Sequence, residues 1–488
     1  MSLEFNVDER QKALEFLQQF VADKADISEN DTLPFRVVPF SIRPEELRGE
    51  CIDWTLEYCR RSKCPEQLAA IITHEVTSNV CQTDLSDLKI EKEDQYDASK
   101  LARLVFNTVH QVCQKWSEEP PTFYKSSYTY ETSVYAIKNT RRKMEDKHVI
   151  MPHFNSLFGL PKDSPNYAYF AVFDGHGGID AATFAATHLH CFLAQNEHLV
   201  KNPGLALHET FQNTDCSFGA RAISEGLRSG CTAVSILITN EALYLAWLGD
   251  SQAILCKDGE FIELMQPHKP ERQDEKDRIE GLGGCVIWFG AWRVNGSLSV
   301  SRAIGDAEHK PFISGEPDVA EYTLDGDEEF VILACDGLWD TVKPEQAIKL
   351  VKEHIASGND RCDVAKVLVD EAKQEGSSDN ISVLVVFLDA HRKEKKKNSS
   401  ISTPVSNALV DKISESHRCA GIGDGLENDE DSLGSLVAKV KVSTETTIEE
   451  RTDNFSCKVT CTDDNHCMNE VKSEDNCHHF DIKTSDES

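Results

Sequence analysis

The sequence predicts an α+β fold, because short strand-like apolar runs fill its middle and helical segments lie between groups of them. Some runs, such as 232–238 and 243–248, are separated by only a few residues, which permits antiparallel hairpins. Helices inserted between groups of strands cover sheet faces, the layered form of an α+β domain. The organising stretch is Phe170-Ala171-Val172-Phe173-Asp174-Gly175-His176-Gly177-Gly178. It opens as an apolar run too short for a buried helix and ends on a carboxylate, glycines and a histidine. A helical pattern at Ala181, Phe184, Ala185 and Leu189 follows it. Taken alone, the stretch has two readings. Asp174 caps that helix while His176 packs, or a rigidly held carboxylate and a closely approaching backbone form a cation or phosphate site.

The first region, 1–125, reads as a helical extension. Asp8 and Gln11 form a capping-box pattern ahead of a stripe at Leu14, Leu17, Phe20 and Val21. Pro44 and Pro65 suit the first turns of two further helices, striped at Cys51, Trp54, Tyr58 and at Leu68, Ile71, Ile72. A last helix from Ala98 carries Leu101, Leu104, Val105, Val109, Val112 and Trp116. Such stripes must be buried. They form a module that docks a substrate or adaptor, the favoured reading, or they cover the following domain.

Residues 126–390 form the second region, with strand-like runs at 167–173, 232–238, 243–248, 330–334 and 381–388 and helices over 181–194 and 344–355. The third, 391–488, opens on Arg392-Lys393-Glu394-Lys395-Lys396-Lys397, read as a solvated linker with nuclear import or docking as the alternative. Beyond it, Asn398 to Ser488 holds 19 acidic and 8 basic residues, a net of −11, with few aromatics. Such a chain buries too little apolar surface to offset its ordering entropy and is expected to be disordered. Cys457, Cys461, His466, Cys467, Cys477, His478 and His479 lie there, in a spacing that matches no established zinc pattern.

The net charge of −32 argues against nucleic acid or an anionic membrane as a partner, because phosphate binding needs clustered Lys and Arg. Seventeen scattered cysteines without a Cys-x-x-Cys, no signal pattern over Met1–Val7 and no apolar run near the roughly 20 residues of a membrane span point to a reduced, soluble, cytoplasmic protein, with the nucleus as a further location.

Four more segments carry acids at the ends of strand-like runs. They are Arg141-Arg142-Lys143-Met144-Glu145-Asp146, Gly249-Asp250-Ser251, Cys335-Asp336-Gly337-Leu338-Trp339-Asp340 and Ser377-Ser378-Asp379-Asn380. One Asp-Gly after a strand is ordinary turn chemistry; several converging carboxylates cannot all stay ionised unaided. Divalent cations resolve that conflict, and an oxygen-dominated donor set favours Mg²⁺ or Mn²⁺ over zinc. Paired ions activate water and clamp a phosphoryl group, an arginine grips phosphate oxygens, and a histidine protonates the leaving alkoxide.

Arg-x-x-Met-Glu-Asp, Phe-Asp-Gly-His-Gly-Gly, Ser-Gly-x-Thr-Ala, Gly-Asp-Ser, Arg-Val-Asn-Gly-Ser-Leu-x-Val-Ser-Arg-Ala-x-Gly-Asp, Cys-Asp-Gly-x-Trp-Asp and Ser-x-Asp-Asn occur here in that order. This series resembles the PPM (type 2C) metal-dependent protein serine/threonine phosphatases over about 128–390. The stretches 142–160 and 246–252, with the helical extension, look most like the partner-of-PIX, calmodulin-dependent protein kinase phosphatase branch. The resemblance implies a central antiparallel β-sandwich flanked by helices, with two Mg²⁺ or Mn²⁺ ions at one end and a weaker third. It makes Asp174 the bridging ligand, Gly175 a carbonyl ligand, and Asp336 and Asp379 ligands of the other ion. It has Glu145 acting through water with Asp146 in support, Arg141 binding phosphate and His176 as general acid. Asp250 and Asp340 match the third-ion positions, and Arg293 matches a basic position that is structural or substrate-facing. Leu248 departs from the polar residue common in relatives and leaves the third-ion surroundings open. The implied partners are phosphoproteins, including protein kinases.

Three rival readings compete with this one. A cysteine phosphatase needs Cys and Arg six positions apart, which none of the 17 cysteines provides, and Cys335 reads as a buried small side chain. A catalytically weak scaffold binding partners through the same fold would be favoured by loss of Asp174, Asp336 or Asp379, and all three are present. A nuclease is disfavoured by the acidic balance.

Overall fold

The computed structural model describes residues 3–4, 7–90, 94–122, 124–125, 129–389, 391 and 441–442. The expectation of disorder after 390, the basic run and the tail cysteines and histidines therefore lie almost wholly outside the described residues.

Four helices come first: α1 (Val7–Asp23), α2 (Leu47–Arg61), α3 (Glu66–Gln82) and α4 (Ala98–Glu118). Their stripes meet in one core that includes Leu17, Phe20, Trp54, Tyr58, Leu68, Ile72, Val105 and Trp116. Asp97 caps α4, its Oδ1 accepting from the Lys100 N–H at 2.9 Å. Asp8 does not cap α1. The helix already begins at Val7, and Asp8 pairs with Lys12 on the next turn at 2.8 Å. Pro65 is the N-cap of α3, whereas Pro44 belongs to the turn ahead of α2.

The remainder supplies two antiparallel sheets. The first contains β1 (Thr132–Ile137), β6 (Gln252–Lys257), β7 (Glu260–Glu263), β12 (Glu328–Ala334) and β13 (Ile381–Phe387), in the order β7-β6-β12-β13-β1. The second contains β2 (Lys147–Met151), β3 (Ala168–His176), β4 (Gly230–Ile238), β5 (Ala242–Leu248) and β11 (Asp318–Thr323). Its order is β11-β5-β4-β3-β2, with residues 441–442 beyond β11 and β10 (Ile304–Gly305) paired to β4. After α8 (Gln273–Gly281), a small hairpin of β8 (Val286–Trp288) and β9 (Trp292–Val294) stands apart from both sheets.

Both faces of each sheet are covered, so the strands read as nearly unbroken apolar runs. On β3, Phe170 and Val172 turn inward and meet Leu255, Leu333 and Leu384 of the opposite sheet. Tyr169, Ala171 and Phe173 alternate with them and pack under α6 (Asp180–Gln195) and α7 (Pro203–Glu225). On β13, Val383 and Val385 face α10 (Pro344–Ala356) and α11 (Val364–Gln374). The result is a four-layer sandwich of helices, sheet, sheet and helices.

The N-terminal helices close one side of it. Ile52 of α2 and Ala70 of α3 join the cluster that contains Phe184 of α6 and Phe154 of α5 (Phe154–Phe158). Glu46, 1 % exposed, pairs with Arg221 of α7 at 3.1 Å. Of the two uses open to the stripes, the structure shows burial in a shared helical core and against the sandwich.

Candidate metal centre

The acids gather at one end of the sandwich. Asp174 lies within β3 and not at its end: the strand stays paired through Asp174↔Thr232, Gly175↔Cys231 and His176↔Gly230. The turn comes later, at Gly177 (φ 68°) and Gly178 (φ 142°), and Ile179 rather than Asp174 caps α6. Gly175 is required by a close approach. A Cβ there would stand 2.4 Å from the Glu145 carbonyl oxygen, where the chain enters β2.

Asp250 follows β5, Asp336 opens the short helix α9 (Asp336–Trp339) after β12, and Asp146 immediately precedes β2. Carboxylate oxygens of Asp174, Asp250 and Asp336 all lie within 4.8 Å of one another, and so do ligand atoms of Asp146, Asp174 and Cys335. Asp174 therefore belongs to both groups.

Burial and mutual repulsion raise the pKa of these acids. Asp174 is raised well above the carboxylate range by desolvation and then by Asp336, Asp146 and Asp250. Asp336 is pushed up to about 8, first by desolvation and then by Asp250, Asp340 and Asp379. Desolvation takes Asp146 to about 6 against the hydrogen bond that the Ser382 hydroxyl donates to its Oδ2 at 2.7 Å. Asp250 is also raised by burial, an effect that the Lys269 ammonium opposes. The other oxygen of Asp146, Oδ1, is buried and has no hydrogen-bond partner among the described residues. An oxygen-rich donor set, carboxylates that repel one another and an orphaned buried oxygen fit a divalent cation.

Arg141 and Asp379 form an ion pair at the rim of this group. Asn380 fixes the segment that carries Arg141, Glu145 and Asp146. Its amide donates to the carbonyls of Lys138 (2.9 Å) and Lys143 (3.0 Å), and its Oδ1 accepts from the Glu145 N–H (2.8 Å). His176 Nε2 and Asp306 Oδ2 are 2.7 Å apart. Burial opposes charge on this imidazole, but the hydrogen bond and negative charge of Asp306 outweigh it, and the His176 pKa is raised.

Asp340 lies outside both tight groups. Lys269 stands between it and Asp250, with Nζ at 3.4 Å from Asp340 and 3.7 Å from Asp250. Arg293 braces the β8–β9 hairpin, donating to the carbonyls of Ser297 (2.6 Å) and Phe289 (3.4 Å). Leu248 is buried in the core beneath α6 and α7. Cys335 is fully buried, its thiol pushed far up by burial and its sulfur accepting from the Ser382 N–H at 3.2 Å.

Sequence reading singled out the motifs containing Asp306 and Asn380 without giving those residues a role, and it passed over Lys269. Asp306 had a signal, since Gly305-Asp306 repeats the Gly249-Asp250 pattern. Lys269 had none.

The family profile described as "Protein phosphatase 2C" matches residues 130–381. "Protein phosphatase 1E" of Mus musculus is 51% identical over 355 residues, which cover 71% of this chain and 47% of that protein. "Protein phosphatase 1F" of Mus musculus is 45% identical over 392 residues, covering 76% of this chain and 86% of that one. The chain thus spans about half the length of the 1E relatives it matches. A solved structure described as that of a C. elegans sex determining protein shares the fold, with a TM-score of 0.63, 22% identity and coverage of 80% of this chain and 97% of that one.

Proposed function

Because the chain belongs to the protein phosphatase 2C family, we propose that its acidic centre hydrolyses phosphoserine and phosphothreonine esters in proteins. The observation that carries this reading is the approach of Asp174, Asp250 and Asp336 oxygens to within 4.8 Å, with an oxygen of Asp146 also within 4.8 Å of Asp174.

Asp174, Asp336, Asp250 and Asp146 would hold Mg²⁺ or Mn²⁺, with Asp379, Glu145 and the Gly175 carbonyl completing two sites as the motif resemblance implies. Bound divalent cations supply Lewis acidity towards the phosphoryl group and an activated water. Asp250 and Asp340 would hold a third, weaker ion only if Lys269 moves aside. Arg141 would exchange its pairing with Asp379 for the substrate phosphate, presenting a planar fork to its oxygens. His176 would protonate the leaving serine or threonine oxygen. Its Nε2 is engaged by Asp306, so Nδ1 is the nitrogen left to deliver that proton. Asp146, fixed by Ser382, would orient the donors around Asp174.

The substrates proposed are phosphoproteins, protein kinases among them, a class supported by the branch that the motifs resemble. We place the protein in the cytoplasm, with nuclear entry through the basic run as an extension; composition supports this, and no helix among the described residues is long and apolar enough to cross a membrane. The deciding experiment is phosphate release from a phosphothreonine peptide after chelation and again after Mn²⁺ is restored. Release only with the metal is expected, and full activity in chelator overturns the proposal.

A further inference from the structure

A cleft follows the seam between the N-terminal helices and the sandwich. It consists of three adjoining cavities of about 390, 410 and 220 Å³. The first two share Asp53, Lys147, Thr183 and Thr187, and the last two share Leu56, Arg60, Ile150 and Met151. One end opens beside Ile179 and Asp180, directly after the His176-Gly177-Gly178 turn. The other is a mainly apolar pocket between Leu56, Ala69, Met151 and Leu157.

Two features of this cleft select its occupant. The first is the sheet edge. All five residues of β2, Lys147 to Met151, line the middle cavity. β2 is the terminal strand of its sheet, so beyond its pairing with β3 its outer edge has no strand partner among the described residues. An unpaired edge presents alternating N–H and C=O groups that an extended chain satisfies by adding as a strand. The second is the apolar surface at both ends. Near the site, Phe40 is 84 % and Val38 75 % exposed on the cavity wall, and the far pocket has room for an aliphatic side chain. That pocket is lined by Leu56, Ala69, Met151 and Leu157 together with Arg60, Glu66 and His153, and burial lowers the His153 pKa to about 4 and keeps it neutral.

We propose that this cleft is a docking groove for an extended segment of the phosphoprotein substrate, which adds to β2 as a strand and seats an apolar side chain between Leu56, Met151 and Leu157. The inference rests on the phosphatase reading of the acidic centre. β2 begins one residue after Asp146, so a chain lying along it leads away from the reacting phosphate. Five strand residues span roughly 16 Å at about 3.3 Å each, which sets the separation between phosphoresidue and anchor. Remote contacts of this kind lower KM for long substrates and leave short ones untouched.

The test uses the full-length protein and synthetic phosphothreonine peptides. One set carries a Thr/Val stretch ending in a single Leu, placed at stepwise separations on either side of the phosphothreonine. Controls replace that Leu by Ser or N-methylate the stretch, and the shortest peptide has no arm. At one separation KM should fall about tenfold with kcat unchanged, the scale of burying one leucine side chain. The Leu→Ser and N-methylated peptides should each lose that gain. Ala69→Phe, which fills the pocket, should abolish it while sparing the armless peptide. Hydrogen exchange of 147–151 in the unaltered protein should slow on binding the unphosphorylated arm, a readout independent of whether the filled variant folds. A KM indifferent to anchor and N-methylation at every separation, with the armless peptide turned over normally, overturns the groove. Protection of 147–151 without any change in KM overturns the substrate assignment in favour of a different binding partner. Failure to hydrolyse any of the phosphopeptides would instead defeat the phosphatase reading.

Discussion

His176 Nε2 lies 2.7 Å from Asp306 Oδ2, and Asp306 is only 3 % exposed. The carboxylate arrives from the turn after β10 and meets the end of β3, two elements that both pair with β4. It orients the imidazole and keeps its proton to higher pH than an unpaired histidine would.

Replacing Asp306 by Asn should therefore shift the alkaline limb of kcat to lower pH, because the raised histidine pKa falls back once its negative partner is gone. At neutral pH the rate on a phosphothreonine peptide should fall by about 10²-fold, and less on an aryl phosphate whose leaving group needs no proton. A uniform loss on both substrates with an unmoved pH limb would assign Asp306 a purely structural role. The pair also affects folding. A raised histidine pKa contributes stability that is present below about pH 6.5 and is lost as pH rises through the folded value.

The acid cluster has the opposite consequence to an ordinary surface carboxylate. Asp146 and Asp336 titrate at about 6 and 8 in the folded chain, both above the unfolded value of about 3.9. The metal-free protein thus gains stability at acidic pH and loses it as pH rises through about 6 and 8. Urea midpoints in chelator should be higher at pH 5 than at pH 8, and Mn²⁺ should remove the difference. Asp336→Asn should raise the chelated midpoint at pH 8 while abolishing turnover. A midpoint that climbs with pH in chelator would contradict the geometry.

Arg141→Ala should act on binding. Loss of a charged hydrogen bond to phosphate corresponds to about 1.5–3 kcal/mol, read as a rise in KM with kcat little changed. The fold should be unaffected, since Arg141 is largely exposed.

The N-terminal helices are expected to carry stability. Ile52→Ala, at a site 1 % exposed in the core shared with α6, should cost about 2–5 kcal/mol and lower the midpoint without changing KM for a short peptide. Removal of the first 125 residues should strip the sandwich of that cover and reduce activity on small and large substrates alike. Unchanged stability after that deletion would show that the helices are dispensable to the fold.

Chelation should abolish phosphate release, whereas thiol alkylation of the native protein should leave it intact, because Cys335 beside Asp336 is fully buried with its thiol held protonated. Rapid inactivation by an alkylating agent would implicate sulfur.

The long strands and the acids beside them were legible in the sequence because both have local causes. Runs such as 232–238 and 381–388 are apolar on both faces, which marks strands buried between layers, and the observed strands fall within a few residues of the expected ones. Asp146, Asp174, Asp250, Asp336 and Asp379 each stood in a short motif beside such a run. The helices expected over 181–194 and 344–355 likewise appear as α6 and α10. What the sequence withheld depends on contacts between distant segments. That Asp174 stays within its strand follows from pairing with Thr232, that Lys269 stands between Asp250 and Asp340 follows from a loop far from either, and that Asp306 reaches His176 follows from β10 pairing with β4. The cleft beside β2 exists only because α2 packs near a sheet edge almost a hundred residues later. Periodicity reports which face of an element is buried, whereas the partner on that face is chosen by the packing of the whole chain.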